Sequence, residues 1–108
     1  MIKKKIPATI LIADDETAFR NLLNTMLTAE GYSVTTAADG IEAINALQAK
    51  QFDIALLDVR MPRVDGTEVL SYIKEASLDT EVIMLTGVDD VRIVVDCMKR
   101  GAYHYITK

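Results

Sequence analysis

The sequence has no tryptophan, one cysteine, one histidine and two prolines in 108 residues. One cysteine excludes an internal disulfide and any cysteine-ligated metal cluster. Cys97 lies in an apolar-periodic segment and reads as a small buried thiol; a lone thiol also fits a reducing compartment. His104, between Tyr103 and Tyr105 on an extended run, makes neither a metal site nor a catalytic dyad alone and reads as structural or surface. Aromatic residues are only 6% of the chain, so the core has to come from Ile, Leu, Val, Ala and Met. No apolar run approaches the roughly 18 residues of a membrane span, and the N-terminus lacks the apolar stretch of a signal peptide. The expected address is the cytoplasm, with no membrane partner. Basic charge is also short: 12 Lys and Arg against 16 Asp and Glu leave a formal net charge of −4. Binding phosphate backbones needs a basic face, so nucleic acid is not expected as a direct ligand. The Lys3 to Lys5 run reads as a solvated tail.

What is present is the composition of a globular domain, 50% hydrophobic and 26% charged, of a length that one core can serve. A single domain over residues 1–108 is expected, without linker or low-complexity tract. Thr9 to Ala13 is an apolar, partly β-branched run that stops at Asp14 and Asp15, as a buried parallel strand would. Phe19, Leu22, Leu23, Met26 and Leu27 recur at helical spacing, with Gly31 as a C-terminal stop. A strand is predicted over Ser33 to Ala37. Asp39 and Glu42 form a candidate capping box for a helix with Ile41, Ile44 and Leu47 on its apolar stripe. Ile54 to Leu57 is another buried strand, ending at Asp58. Asp65-Gly66 signals a turn before a helix carrying Val69, Leu70 and Ile73. Glu81 to Leu85 is a strand ending at Thr86-Gly87. Val91, Val94, Val95 and Met98 mark a helix closed by Gly101, and Tyr103 to Thr107 is the last strand. Strands alternating with helices predict an α/β fold with a mainly parallel sheet and right-handed crossovers. No helix follows the last strand, so one sheet face would have only the first helix as cover. The expectation is a chain cut from something longer.

In an open parallel sheet the ligand site lies beyond the carboxyl ends of the strands. Here those ends carry Asp14 and Asp15, then Asp58, Thr86 and Lys108. Singly, each has an ordinary reading: Asp14 or Asp15 as a helix cap, Asp58 as a turn former, Thr86 as a cap, Lys108 as a solvated cation. Jointly they gather three carboxylates, a hydroxyl and an ammonium. Clustered carboxylates raise one another's pKa unless cations neutralise them. A hard divalent ion with oxygen ligands meets that need, and Mg²⁺ commonly does so beside phosphate. The set suits phosphoryl transfer, and a carboxylate can itself be the nucleophile.

From Ala8 to Lys108 the chain resembles the receiver domains of two-component response regulators. The resemblance rests on Ala13-Asp14-Asp15-Glu16, Leu56-Leu57-Asp58-Val59-Arg60-Met61-Pro62, Asp65-Gly66, Leu85-Thr86-Gly87 and Gly101-Ala102-Tyr103-His104-Tyr105-Ile106-Thr107-Lys108, in order. It implies a flavodoxin-like, doubly wound parallel sheet with strand order 2-1-3-4-5, the last helix missing. It implies that Asp58 accepts a phosphoryl group from a sensor histidine kinase or phosphotransfer protein. Asp15 and Asp58 would bind magnesium through carboxylate oxygens, Arg60 through its backbone carbonyl and Asp14 through water. Lys108 would pair with a phosphoryl oxygen. Thr86 would bond the phosphoryl group and Tyr105 would turn inward, together forming the switch. Arg60 occupies a position that varies in the family and tunes dephosphorylation. A C-terminal output domain is expected outside this chain, and self-association through the uncovered sheet is expected of the fragment.

Three other functions fit less well. An aspartyl-phosphate phosphatase needs an acid two residues after its nucleophile, where this sequence has Arg60. A receiver fold that never takes phosphate would have lost one of Asp14, Asp15, Asp58, Thr86 or Lys108, all of which are present. A dinucleotide site lacks its G-x-G-x-x-G after the first strand.

Overall fold

A computed structural model describes residues 8–108; the Lys3 to Lys5 run lies outside them. Five strands alternate with four α-helices: β1 Thr9–Ala13, α1 Thr17–Ala29, β2 Ser33–Ala37, α2 Gly40–Ala49, β3 Ile54–Asp58, α3 Gly66–Glu75, β4 Glu81–Thr86, α4 Val91–Lys99 and β5 His104–Thr107. A short 3-10 turn, Val88–Asp90, leads into α4. All strand pairs are parallel, and their order is β2-β1-β3-β4-β5, the flavodoxin-like winding.

The apolar runs explain the two-sided burial. Within each strand, neighbouring side chains point to opposite faces. Leu11, Ala13, Ala55, Leu57, Val82 and Met84 join the larger core, under α2, α3 and α4. Ile10, Ile12, Leu56 and Leu85 form a second, smaller core with Phe19, Leu23 and Leu27 of α1. Among the described residues α1 is the only helix on that face. Ile106, paired in register with Leu85, shares it and remains 47% exposed.

The starts of α2 and α3 follow the caps that the sequence offers, with one change. Asp39 accepts from the Glu42 N–H at 2.9 Å, but the Glu42 carboxylate reaches back to the Ala38 N–H, one residue short of a true capping box. The complete box is at α3, where Asp65 and Glu68 bond each other's backbone N–H. Gly31 and Gly101 close α1 and α4 with φ of +98° and +105°, a region that favours glycine. Gly66 matters for closeness: a Cβ there would lie 2.1 Å from the Asp58 carbonyl oxygen. The first turn of α3 thus packs directly against the backbone of Asp58. Cys97 is fully buried in α4, as its apolar setting implied, and burial pushes its thiol pKa up.

Candidate functional site

The register brings the strand ends together. Ala13 lies opposite Leu57, Asp58 opposite Leu85, and Thr86 opposite Thr107. Asp14, Asp58, Thr86 and Lys108 are therefore carried to one edge by four adjacent strands. The backbone N–H of Lys108 also bonds the Thr86 carbonyl at 2.8 Å, which continues the β4–β5 pairing through the lysine.

Lys108 Nζ is the centre of the cluster. It lies 3.1 Å from Asp14 Oδ2 and 3.4 Å from Asp58 Oδ2, and it bonds Glu16 closely. It also stands 4.9 Å above the Phe19 ring, a cation–π contact. Asp14 is fully buried. It does not cap α1: its Oδ1 accepts from the Glu16 N–H at 2.8 Å, and its carbonyl accepts from Arg20 at 2.6 Å. Its Oδ2, although close to the ammonium, receives no hydrogen bond of acceptable geometry.

Burial and the neighbouring Asp14 charge push the Asp58 pKa up to about 7, against the charge and hydrogen bond of Lys108 and the Arg60 N–H. Burial disfavours the charged form of Lys108, but its bonds to Glu16 and Asp14 and the charges of Asp58 and Asp14 outweigh this. The ammonium is held above its ordinary range.

These residues fit a hard cation. Ligand oxygens of Asp14, Glu16 and Asp58 lie within 4.8 Å of one another. Three carboxylates face one ammonium, and one buried oxygen has no hydrogen-bond donor. Oxygen donors of this kind are the ligand set of magnesium.

Asp15 is not in that cluster. It is exposed and lines a shallow hollow with Arg60, Met61, Pro62 and Asp65. Thr86 is buried, and its hydroxyl donates to the Gly87 carbonyl at 2.9 Å. Tyr105 is half-exposed and shares an apolar pocket of about 250 Å³ with Thr86, Val91, Val94, Val95 and Met98. His104 is exposed on β5, its ring centroid 6.0 Å from that of Tyr105.

Two participants were not assigned from sequence. Glu16 follows the acid pair and starts α1, and its place in the repeated acids Asp14-Asp15-Glu16 was the available signal. Asp90 receives Arg60 Nε at 2.7 Å. These two residues lie thirty positions apart, and nothing local in the sequence pairs them.

A doubly wound sheet with an acid cluster and a lysine at its carboxyl edge defines a phosphoryl-handling regulatory module. The chain belongs to the response regulator receiver domain family, whose model matches residues 10–108. It is 41% identical over 106 residues to the probable transcriptional regulator ycf27 of Cyanophora paradoxa, covering 98% of this chain and 42% of that protein. It is 38% identical over 103 residues to the response regulator MprA of Mycobacterium sp. strain KMS, covering 95% of this chain and 45% of that protein. Among solved structures it resembles the response regulator TrrA of Thermotoga maritima, determined in complex with Mg(2+)-BeF. There the TM-score is 0.83 and the identity 34%, with 94% of this chain and 86% of that one covered. The chain thus spans less than half the length of these curated relatives.

Proposed function

We propose that this domain is a phosphorylation switch in which Asp58 accepts a phosphoryl group from the phosphohistidine of a sensor histidine kinase or phosphotransfer protein. The observation that carries this reading is the buried Asp58 carboxylate beside Lys108 and the donorless Asp14 oxygen. An Asp58 oxygen attacks phosphorus, and the phosphorus–nitrogen bond of the donor breaks with its electron pair left on the imidazole. Asp14, Asp15, Asp58 and the Arg60 carbonyl would hold magnesium, with Glu16 at the rim. When bound, the ion supplies the positive charge that keeps Asp58 ionised and neutralises phosphoryl oxygens.

Lys108 pairs with a second phosphoryl oxygen by leaving Glu16. Thr86 exchanges its bond to the Gly87 carbonyl for one to the phosphoryl group. As its side chain moves toward the site, Tyr105 closes into the pocket the two residues share. Phosphorylation then selects the state that makes these contacts. Gly87, with no side chain, leaves the approach to the site open.

The setting of such a domain is a cytoplasmic two-component pathway, with an output domain lying beyond the residues of this chain. No helix among the described residues is long and apolar enough to cross a membrane. The half-exposed Ile106 face of the sheet is the surface proposed for self-association.

The test is intact mass after incubation with acetyl phosphate, with and without Mg²⁺, followed by peptide mapping. A magnesium-dependent gain of one phosphoryl group on Asp58 is expected. Labelling at another residue, or equal labelling of Asp58→Asn, would overturn the assignment.

A further inference from the structure

Asp90 stands where a helix-capping residue belongs and does not cap. It is the N-cap residue of α4, yet its side chain makes no hydrogen bond to the first N–H groups of the helix. Aspartate is among the best residues for that position, because its carboxylate can accept from donors that otherwise have no partner. The first turn of α4 contains no other acid. The Asp90 carboxylate is instead committed to Arg60, through Oδ1 and Nε at 2.7 Å. The side-chain exposures differ sharply, 68% for Arg60 and 8% for Asp90. The anion is fixed in the fold, and the cation is the partner free to move.

Arg60 is also two residues from Asp58. It lines the hollow containing Asp15 and Asp65 as well as the groove between α3 and α4. Its guanidinium is held by Asp90, while its backbone follows the buried Asp58 by two residues. A guanidinium bonds phosphoryl oxygens as readily as a carboxylate, and often through two N–H groups at once.

We propose that Arg60 and Asp90 form an exchangeable latch: a phosphoryl group on Asp58 draws the Arg60 guanidinium off Asp90, and the released Asp90 carboxylate caps α4. The latch rests on the phospho-acceptor reading of Asp58. A largely buried carboxylate that loses its cation gains by meeting new donors, and the N–H groups of Arg92 and Ile93 lie in the first turn of the helix immediately beside it. In the structure the Asp90 carboxylate bonds Arg60 and none of the first N–H groups of α4, and the latch is the exchange of the first partner for the second. It carries the state of Asp58 to the start of α4 by charge, separately from the hydroxyl of Thr86.

Beryllofluoride with Mg²⁺ serves as the phosphoryl probe, titrated by fluorine NMR on the whole chain and four variants: Asp90→Asn, Arg60→Ala, their double variant and Asp58→Asn. Asparagine keeps the shape and capping ability of Asp90 but not its charge. With Arg60 present, Asp90→Asn is expected to tighten beryllofluoride binding about ten-fold, since the anion competing for the guanidinium is gone. In the Arg60→Ala background the gain is expected to be under two-fold. An equal gain in both backgrounds would mean that Asp90 acts only by through-space charge, and it would overturn the latch. So would the absence of any gain.

Amide exchange supplies the second readout. The Arg92 and Ile93 N–H groups are expected to exchange several-fold more slowly once beryllofluoride is bound, but not in Asp90→Ala. Unchanged exchange in the wild type would refute the capping step. Wild-type beryllofluoride affinity in Asp58→Asn would instead reject the acceptor assignment, and the latch with it.

Discussion

At the Asp58 carboxyl, burial and the charge of Asp14 hold the proton to about pH 7, whereas an unfolded aspartate releases it near 3.8. Between those values the folded protein binds a proton that the unfolded chain has lost. In metal-free buffer this group therefore lowers stability progressively as pH rises from about 4 to 7, and has no such effect below that window. Asp58→Asn removes the cost, so it is expected to exceed wild type by about 1–3 kcal/mol at pH 7.5. The advantage shrinks toward pH 4.5; urea unfolding at both pH values with a chelator present measures it. A constant advantage would mean that the asparagine acts through packing instead. Magnesium is expected to abolish the advantage by neutralising the wild-type cluster.

Lys108 works in the opposite sense. Its ammonium, with a side chain only 16% exposed, meets the carboxylates of Asp14, Glu16 and Asp58 at once. Lys108→Ala leaves two buried carboxylates without it, at an expected cost of about 2–4 kcal/mol in metal-free buffer. Added Mg²⁺ should recover part of this in the same unfolding assay. Asp58 should still take phosphate from acetyl phosphate, because the nucleophile is intact, but the conformational response should weaken.

At the scale of the element, α3 is coupled to the site by contact between backbones. Gly66 and Asp65 are adjacent, yet their substitutions should differ in kind. Asp65→Ala removes a capping box and should cost about 1 kcal/mol with phosphorylation nearly unaffected. Gly66→Ala drives a methyl group against the Asp58 carbonyl, which only a shift of β3 or of α3 can relieve. It should cost about 1–3 kcal/mol and slow acetyl phosphate labelling beyond what the lost stability explains. Equal labelling rates for the two variants at a temperature where both are folded would contradict this coupling.

The whole molecule has an unequal pair of faces. Three helices cover one side of the sheet, and α1 alone covers the other among the described residues. Ile106 remains half-exposed there. An apolar sheet surface of this kind favours association. Sedimentation equilibrium of the domain should show concentration-dependent association, weakened about ten-fold or more by Ile106→Lys. Unchanged association would place the contact on the exposed Val91, Val95 and Met98 face of α4 instead.

The sequence by itself determined the elements, their order and most of the site. Buried parallel strands read as apolar runs, and each run here ends in a polar residue whose position in the chain is also its position at the sheet edge. Asp14, Asp58, Thr86 and Lys108 could be gathered from that rule alone, because the topology of an α/β sheet places strand ends side by side. Local chemistry was legible too, as in the glycine stops of α1 and α4.

The tertiary structure decided what depends on distance between segments far apart in sequence. The capping box moved from Asp39 to Asp65 because the exact bonding of a first turn depends on how the preceding loop enters the helix. Glu16 became a partner of Lys108 because β5 ends over the start of α1. Asp15, indistinguishable in sequence from its neighbour, stays exposed in the hollow beside Arg60 and Asp65, while Asp14 is buried against Lys108. Arg60 and Asp90 meet because the loops after β3 and β4 lie together, and a capping aspartate gave up its helix for a cation thirty residues away. No periodicity or motif records that exchange, because an ion pair is chosen by proximity after folding.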